Sequence, residues 1–203
     1  FQARSTMEDE KDRWASSAEA KETYVEMLTD PIGELAATRI APRAAEIDAQ
    51  GCVLQEGQVV LPPAMVSNLH DLAEADLMGF TLPVRYGGLG FPYTAYTAAV
   101  EIISRADASL MNFFGLQGIA DTIALFADEE LRSRYLPRFA SGAITGAMVL
   151  TEPEAGSDLL SVQTTATPIE RTNRWKLRGT KRFITNGCGD VLLVLARSED
   201  PGV

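Results

Sequence analysis

The hydrophobic period of this 203-residue chain changes once, near Gly142 to Gly146, and that change limits the folds open to it. Before it, apolar residues recur at the three- and four-residue intervals of helices: Ile32, Leu35, Ile40, Ala44 and Ile47, then Met65, Leu69, Leu72 and Leu77. Tyr96, Val100 and Ile103 follow, and then Leu131, Tyr135 and Phe139. After it, the spacing is that of strands, over residues 144–151, 161–167, 174–178, 182–185 and 191–196. Helices grouped first and strands grouped after them make an α+β chain, since an α/β chain would alternate them. The expected organisation is an all-α helical domain over residues 1–143, followed by the opening strands of an antiparallel β domain over 144–203.

Turn and cap residues divide these segments further. Asp30 and Pro31 read as the N-cap and first residue of a helix. Pro42 should kink that helix or divide it, and Gly51 should end it. Residues 50–61 are a loop or short extended connection, and residues 80–84 a buried extended segment. Pro62-Pro63 opens the next helix, Gly79 closes it, and Asp128 caps a later one. Thr172-Asn173 and Asn186-Gly187 are hairpin turns. Residues 1–17 are polar, either helical near Trp14 or without order, and 18–28 carry a helical stripe.

The formal net charge of -10 argues against a nucleic-acid partner, which needs a basic face, and against an anionic membrane surface. No apolar stretch reaches the length of a membrane span. Cys52 and Cys188 have no metal or redox spacing, so both thiols are expected to be buried or inert in a reducing compartment. The single histidine, His70, reads as a surface or half-buried helix residue, which argues against a histidine base.

Three stretches carry chemistry. In residues 148–158 an apolar strand (Met148, Val149, Leu150) runs into Thr151, is stopped by Pro153, and opens into Ala155, Gly156, Ser157 and Asp158. Gly156 can take positive φ, and the short polar residues after it offer amide donors of the kind that hold phosphates. Residues 179–187 put Phe183, Ile184 and Thr185 before the Asn186-Gly187 turn. Tyr86-Gly87-Gly88-Leu89-Gly90 lies upstream; it lacks the third glycine of a dinucleotide loop, so it reads as a turn. Singly, the first two stretches are ordinary strand-and-turn sequence.

Together, with Arg105-Ala106-Asp107-Ala108-Ser109 and Tyr135-Leu136-Pro137 between them, the stretches resemble the acyl-CoA dehydrogenase family from about Ile32 onward. The wording at Gly51-Cys52 and at Asn186 to Asp190 looks most like a branch containing methylthiopropanoyl-CoA dehydrogenase-like enzymes. Glu154 departs from the family pattern, which often has glycine there. The resemblance implies a β-barrel or sandwich middle domain, with a C-terminal helical domain absent from this chain. It implies FAD as cofactor. Thr151 would bond the pyrimidine edge of the flavin, Phe183 would pack beside the ring and Thr185 would reach N5. Ser157 would contact the pyrophosphate and the CoA substrate, next to Gly156. Met148 and Leu150 would touch the flavin through their backbones, and Ile184 belongs to the β-domain core beside the site.

Thr151 and Thr185 are expected to face one cleft from strands of the same β unit. Glu152 is read as structural. The catalytic base is expected beyond Val203, and at most half of the flavin site within the chain, which is read as a fragment. The implied reaction is α,β-dehydrogenation of an acyl-CoA to a trans-2-enoyl-CoA, with electrons leaving to an electron-transfer flavoprotein. The implied assembly is a homodimer or homotetramer in a bacterial cytoplasm or mitochondrial matrix. A same-fold oxidase or flavin monooxygenase, and a non-enzymatic helical interaction module, stay open as alternatives.

Overall fold

A computed structural model of the chain describes residues 22, 25–26, 28–116 and 118–198. The readings made for residues 1–17, and most of 18–28, lie outside them. The chain divides into two units between Thr145 and Gly146.

The first unit is helical. A π-helical turn Leu28–Ile32, an α turn Gly33–Leu35 and a second π turn Ala36–Ile40 lead into α1, Ala41–Gln50. Asp30-Pro31 therefore does not start a helix, because Pro31 lies inside the first π turn. A π turn opens the hydrogen-bond ladder where a proline ring would meet the carbonyl four residues back. Pro42 sits just past the change from π to α geometry, at the start of α1. Residues 50–61, expected as a loop or extended connection, contain a hairpin of β1, Val53–Gln55, and β2, Gln58–Val60. Glu56 and Gly57 both have positive φ, the geometry of a tight type I′ turn.

Helix α2, Pro63–Glu74, buries Asn68 and Asp71 beside Met65 and Leu72. Two polar residues at core positions are explained by Arg43 of α1. Its Nη1 donates to Asn68 Oδ1 at 2.8 Å and to Asp71 Oδ2 at 2.6 Å. His70 points the other way, exposed and 3.2 Å from Glu74. Of the segment expected to be buried and extended, residues 80–82 are buried but bend, with Phe80 in the right-handed helical region, while Pro83 is half-buried and Val84 exposed. Residues 79–82 hold the Tyr86–Gly90 turn by backbone bonds from Leu89 to Gly79, Gly90 to Leu82 and Phe91 to Phe80.

Helix α3 spans Tyr93–Ala106, α4 Gly118–Phe126 and α5 Glu129–Ala140. The Asp128 side chain accepts from the Leu131 amide at 2.9 Å, so the expected cap forms. The buried face of α5 is Leu136, Phe139 and Ala140, whereas Leu131 is exposed. Phe80, Phe91, Tyr96 and Phe114 make a chain of ring contacts in the core of this unit. Asp121 is buried with hydroxyl donors from Thr81 and Tyr93, and burial raises its pKa.

The second unit contains β3, Gly146–Val149; β4, Thr165–Ile169; β5, Arg174–Arg178; β6, Val191–Val194; and β7, Arg197–Ser198. Strands β4 and β5 form the expected antiparallel hairpin. The pairs β3–β6 and β4–β7 are parallel, and no closed barrel forms among the described residues. Parallel partners need a long crossover. Residues 150–190 supply it for β3 and β6, so these strands are neighbours in space while distant in sequence. Residues 182–185, expected as a strand, form none, because Phe183 has φ +57°, which a strand cannot contain. No helix of the described residues is long and apolar enough to cross a membrane. Cys52 and Cys188 are both exposed free thiols rather than buried ones.

Candidate functional site

Strand β3 ends at Val149, and the chain then turns sharply. Glu152 and Ala155 exchange backbone hydrogen bonds of 2.8 and 3.2 Å, which closes a four-residue turn over Pro153 and Glu154. Glu154 does not have positive φ. This excludes the turn types that need glycine at their third position. The departure at Glu154 therefore needs no left-handed backbone, and its side chain is exposed as expected.

The Glu152 carboxylate gathers three donors from two later segments of the chain. It is 6% exposed and accepts from the Gln163 amide at 2.6 Å, the Thr164 amide at 2.9 Å and Lys181 Nζ at 2.9 Å. Lys181 Nζ also donates to the Leu150 carbonyl at 2.8 Å. Hydrogen bonds from Thr164, Gln163 and Lys181 hold the carboxyl well down, at about 2. A carboxylate so fully ionised and bonded has little basicity left at neutral pH, which fits a structural role. Sequence reasoning missed Lys181 altogether. The available signal was an acid at the end of an apolar strand and a lysine at the head of the third motif, two charges that burial would force together.

These bonds make stability depend on pH. The folded-state pKa of Glu152 lies below its usual 4.5, so its contribution to stability is present above pH 4.5 and is lost as pH falls toward 2. In thermal unfolding, the parent is expected to be more stable than Glu152→Gln at pH 7, with the gap closing between those values. A gap that stays constant down to pH 2 contradicts the assignment.

The Lys181 anchor starts an arch. The Arg182 amide donates to the Thr151 carbonyl at 2.9 Å. At the far end Asn186 Nδ2 donates to the Gly146 carbonyl at 2.9 Å. Between these ties stand Phe183, Ile184 and Thr185. Phe183 is 81% exposed and held at φ +57°, with the Arg182 guanidinium 5.0 Å from its ring centroid. A bulky residue in the left-handed region costs about 1–3 kcal/mol and persists only where its surroundings impose it. Here the two ties impose it. Ile184 is half-buried and Thr185 exposed.

Thr151 joins the pieces. Its carbonyl holds Arg182, and its methyl lies 3.9 Å from where a Cβ on Gly156 would be. Gly156 does not adopt positive φ, contrary to the sequence expectation, and nothing closer than that methyl crowds it. Neither backbone geometry nor internal packing requires a glycine there, so what it leaves open is space beside Thr151. Ser157 is next in the chain and exposed. Asp158 does not leave its loop free. Its carboxylate accepts from the Leu160 amide at 3.1 Å and the Ser161 hydroxyl at 2.5 Å.

Thr151, Gly156, Lys181 and Arg182 are thus brought together, with Phe183 next in the chain. Thr185 is linked to them through the arch, and Ser157 through Gly156. Met148 lies in β3, paired with Leu193 of β6, and Leu150 contributes its carbonyl to Lys181. Neither Thr151 nor Thr185 is on a strand, a correction to the expected arrangement. Thr151 sits two residues beyond the end of β3, and Thr185 lies in the turn-rich segment between β5 and β6.

The sequence model of the acyl-CoA dehydrogenase N-terminal domain matches residues 22–143, and that of the middle domain matches residues 147–202. The chain belongs to the acyl-CoA dehydrogenase family. It is 34% identical over 199 residues to a 3-methylmercaptopropionyl-CoA dehydrogenase of Ruegeria pomeroyi, an alignment covering 90% of this chain and 33% of the relative. The solved structure of glutaryl-CoA dehydrogenase from Mycobacterium smegmatis superposes with a TM-score of 0.73 at 31% identity, covering 91% of this chain and 44% of that one. An acyl-CoA dehydrogenase complexed with FAD from Bacillus anthracis gives 0.71 at 28% identity, covering 91% and 29%. The chain therefore spans about a third of the length of the curated relative it matches over most of its residues.

Proposed function

We propose that this chain is the helical domain and the first part of the flavin-binding β domain of an FAD-dependent acyl-CoA dehydrogenase. Its whole protein would convert an acyl-CoA thioester to a trans-2-enoyl-CoA. The observation that carries this reading is the arch of residues 181–186, tied at both ends and presenting an exposed, strained Phe183 beside Thr151. An aromatic held outward at a conformational cost is explained by a planar ligand that it packs against.

The residues present fit FAD. Gly156 leaves open space that a Cβ would narrow, and Thr151, Ser157 and Thr185 offer hydroxyls and amides around it. Thr151 would hold the pyrimidine edge, Ser157 the pyrophosphate and the CoA substrate, and Phe183 the ring face. The backbones of Met148 and Leu150 would border the ring, with Ile184 packing behind. When bound, FAD supplies the acceptor for the hydride leaving the β-carbon. Thr185 would donate to the ring where that charge arrives, and fixed donors of this kind favour the transition state. The base that takes the α-proton is assigned to no residue of this chain. Domain limits at 1–143 and 144–203, homo-oligomerisation, an electron-transfer flavoprotein as acceptor, and a cytoplasmic or matrix location complete the reading. Similarity to the Ruegeria pomeroyi enzyme supports placing the protein in the methylthiopropanoyl-CoA dehydrogenase-like branch.

The test uses the full-length protein. It should purify yellow, and anaerobic mixing with a panel of acyl-CoA thioesters should bleach the flavin with at least one of them. A colourless protein overturns the flavin reading. A bleached flavin that oxygen rapidly reoxidises favours an oxidase instead.

A further inference from the structure

The Glu152 carboxylate accepts from the Gln163 and Thr164 amides, and these two bonds already tie the end of β3 to residues 163–164. Lys181 is nevertheless held beside it, with a side chain only 10% exposed. Taking an ammonium and a carboxylate out of water commonly costs as much as their attraction returns, so stability alone does not account for the pair. The other bond of Lys181, to the Leu150 carbonyl at 2.8 Å, points to what does.

A trans peptide unit sets its carbonyl and its N–H on opposite sides, and no peptide bond of the described residues is cis. With the Leu150 carbonyl fixed on Lys181 Nζ, the Thr151 N–H of the same unit is turned away from the ion pair. Thr151 is half-buried, and the Arg182 amide holds its own carbonyl at 2.9 Å. Both peptide units that flank Thr151 are therefore pinned. A carbonyl bonded to a cation also draws electrons from its amide nitrogen, which makes the N–H on the far side a stronger donor. Glu152 opposes that pull. It is fully ionised at neutral pH, and charges this far from water are little screened by salt.

Given the FAD site proposed above, we infer that Lys181 is a positioning residue for the flavin. Through the Leu150–Thr151 peptide it aims and strengthens the Thr151 N–H toward the pyrimidine edge, and Glu152 offsets its charge. The pair thereby sets how readily the bound flavin is reduced. Reduction places negative charge on that edge of the ring, so a stronger donor there favours the reduced form over the oxidised one.

The test equilibrates the full-length protein, with its FAD, against a dye of known potential in the absence of oxygen. Lys181→Met removes the cation and keeps the chain length. Bound reduced FAD should lose about tenfold in stability relative to bound oxidised FAD, a fall of about 30 mV in the two-electron potential. Glu152→Gln removes the opposing charge and leaves Lys181 on the Leu150 carbonyl, so the potential should rise. The double variant should fall between the two. A merely structural pair would loosen the site in both single variants and move the potential the same way in each. If Lys181→Met does not fold, the other two variants decide: a rise in Glu152→Gln that the double variant cancels supports the assignment, and its absence overturns it. Bound flavin with unchanged potentials, or with both shifts of one sign, overturns this inference alone. A parent protein without flavin overturns the FAD site together with it.

Discussion

Gly88→Ala is expected to destabilise the helical unit by at least about 3 kcal/mol, near the upper end for a single methyl group. A Cβ at Gly88 would lie 2.1 Å from the Leu82 carbonyl oxygen and 2.5 Å from its carbon. Those atoms cannot move aside cheaply. The Leu82 carbonyl accepts from Gly90 and its amide donates to Gly79, while Leu89 donates to Gly79 as well. Phe80 and Leu82, both fully buried, fix the same segment from below. Urea unfolding monitored by helical circular dichroism measures the effect. Gly57→Ala is the control: its φ is positive, but nothing lies within 4 Å of its Cβ, so about 1–2 kcal/mol is expected. Equal midpoints for Gly88→Ala and the parent contradict the packing of the Tyr86–Gly90 turn.

Thr185→Ala in the full-length protein is expected to slow flavin bleaching by substrate about 10²–10³-fold, as when one preorganised donor is removed. The residue is exposed on the arch, so the change removes no core packing and should leave the stability within about 0.5 kcal/mol. Thr185→Ser keeps the hydroxyl and should keep most of the rate. Anaerobic stopped-flow at saturating acyl-CoA separates this from a binding defect. If Thr185→Ala bleaches as fast as the parent with equal bound FAD, the arch is structural and the site lies elsewhere.

Much of the architecture was already fixed by local chemistry. Apolar spacing set the helices and the change to strands, because amphipathic segments can bury only one face. Asp128 announced a cap because its carboxylate reaches the Leu131 amide three residues on. The turn at Tyr86–Gly90 was legible because its backbone has positive φ at Gly87 and Gly90, which favours glycine. The candidate site residues could be named only through the resemblance that the joined motifs bear to the acyl-CoA dehydrogenase family, since each stretch alone reads as strand and turn.

The links between the motifs were not legible. The Glu152–Lys181 pair spans 29 positions, and only the crossover that makes β3 and β6 parallel neighbours brings its members together. Arg43, Asn68 and Asp71 likewise read as polar interruptions of helical faces until α1 packs on α2. Residues 182–185 had the composition of a strand, and local propensity favours one there. Two long-range ties, at Arg182 and Asn186, bend the segment into an arch and force Phe183 to positive φ. The sequence determined most of the helices, the β4–β5 hairpin and the Asp128 cap, because those depend on residues a few positions apart. Tertiary structure alone decided which charges are buried together and which aromatic ring is turned outward, because those depend on partners that only folding makes neighbours.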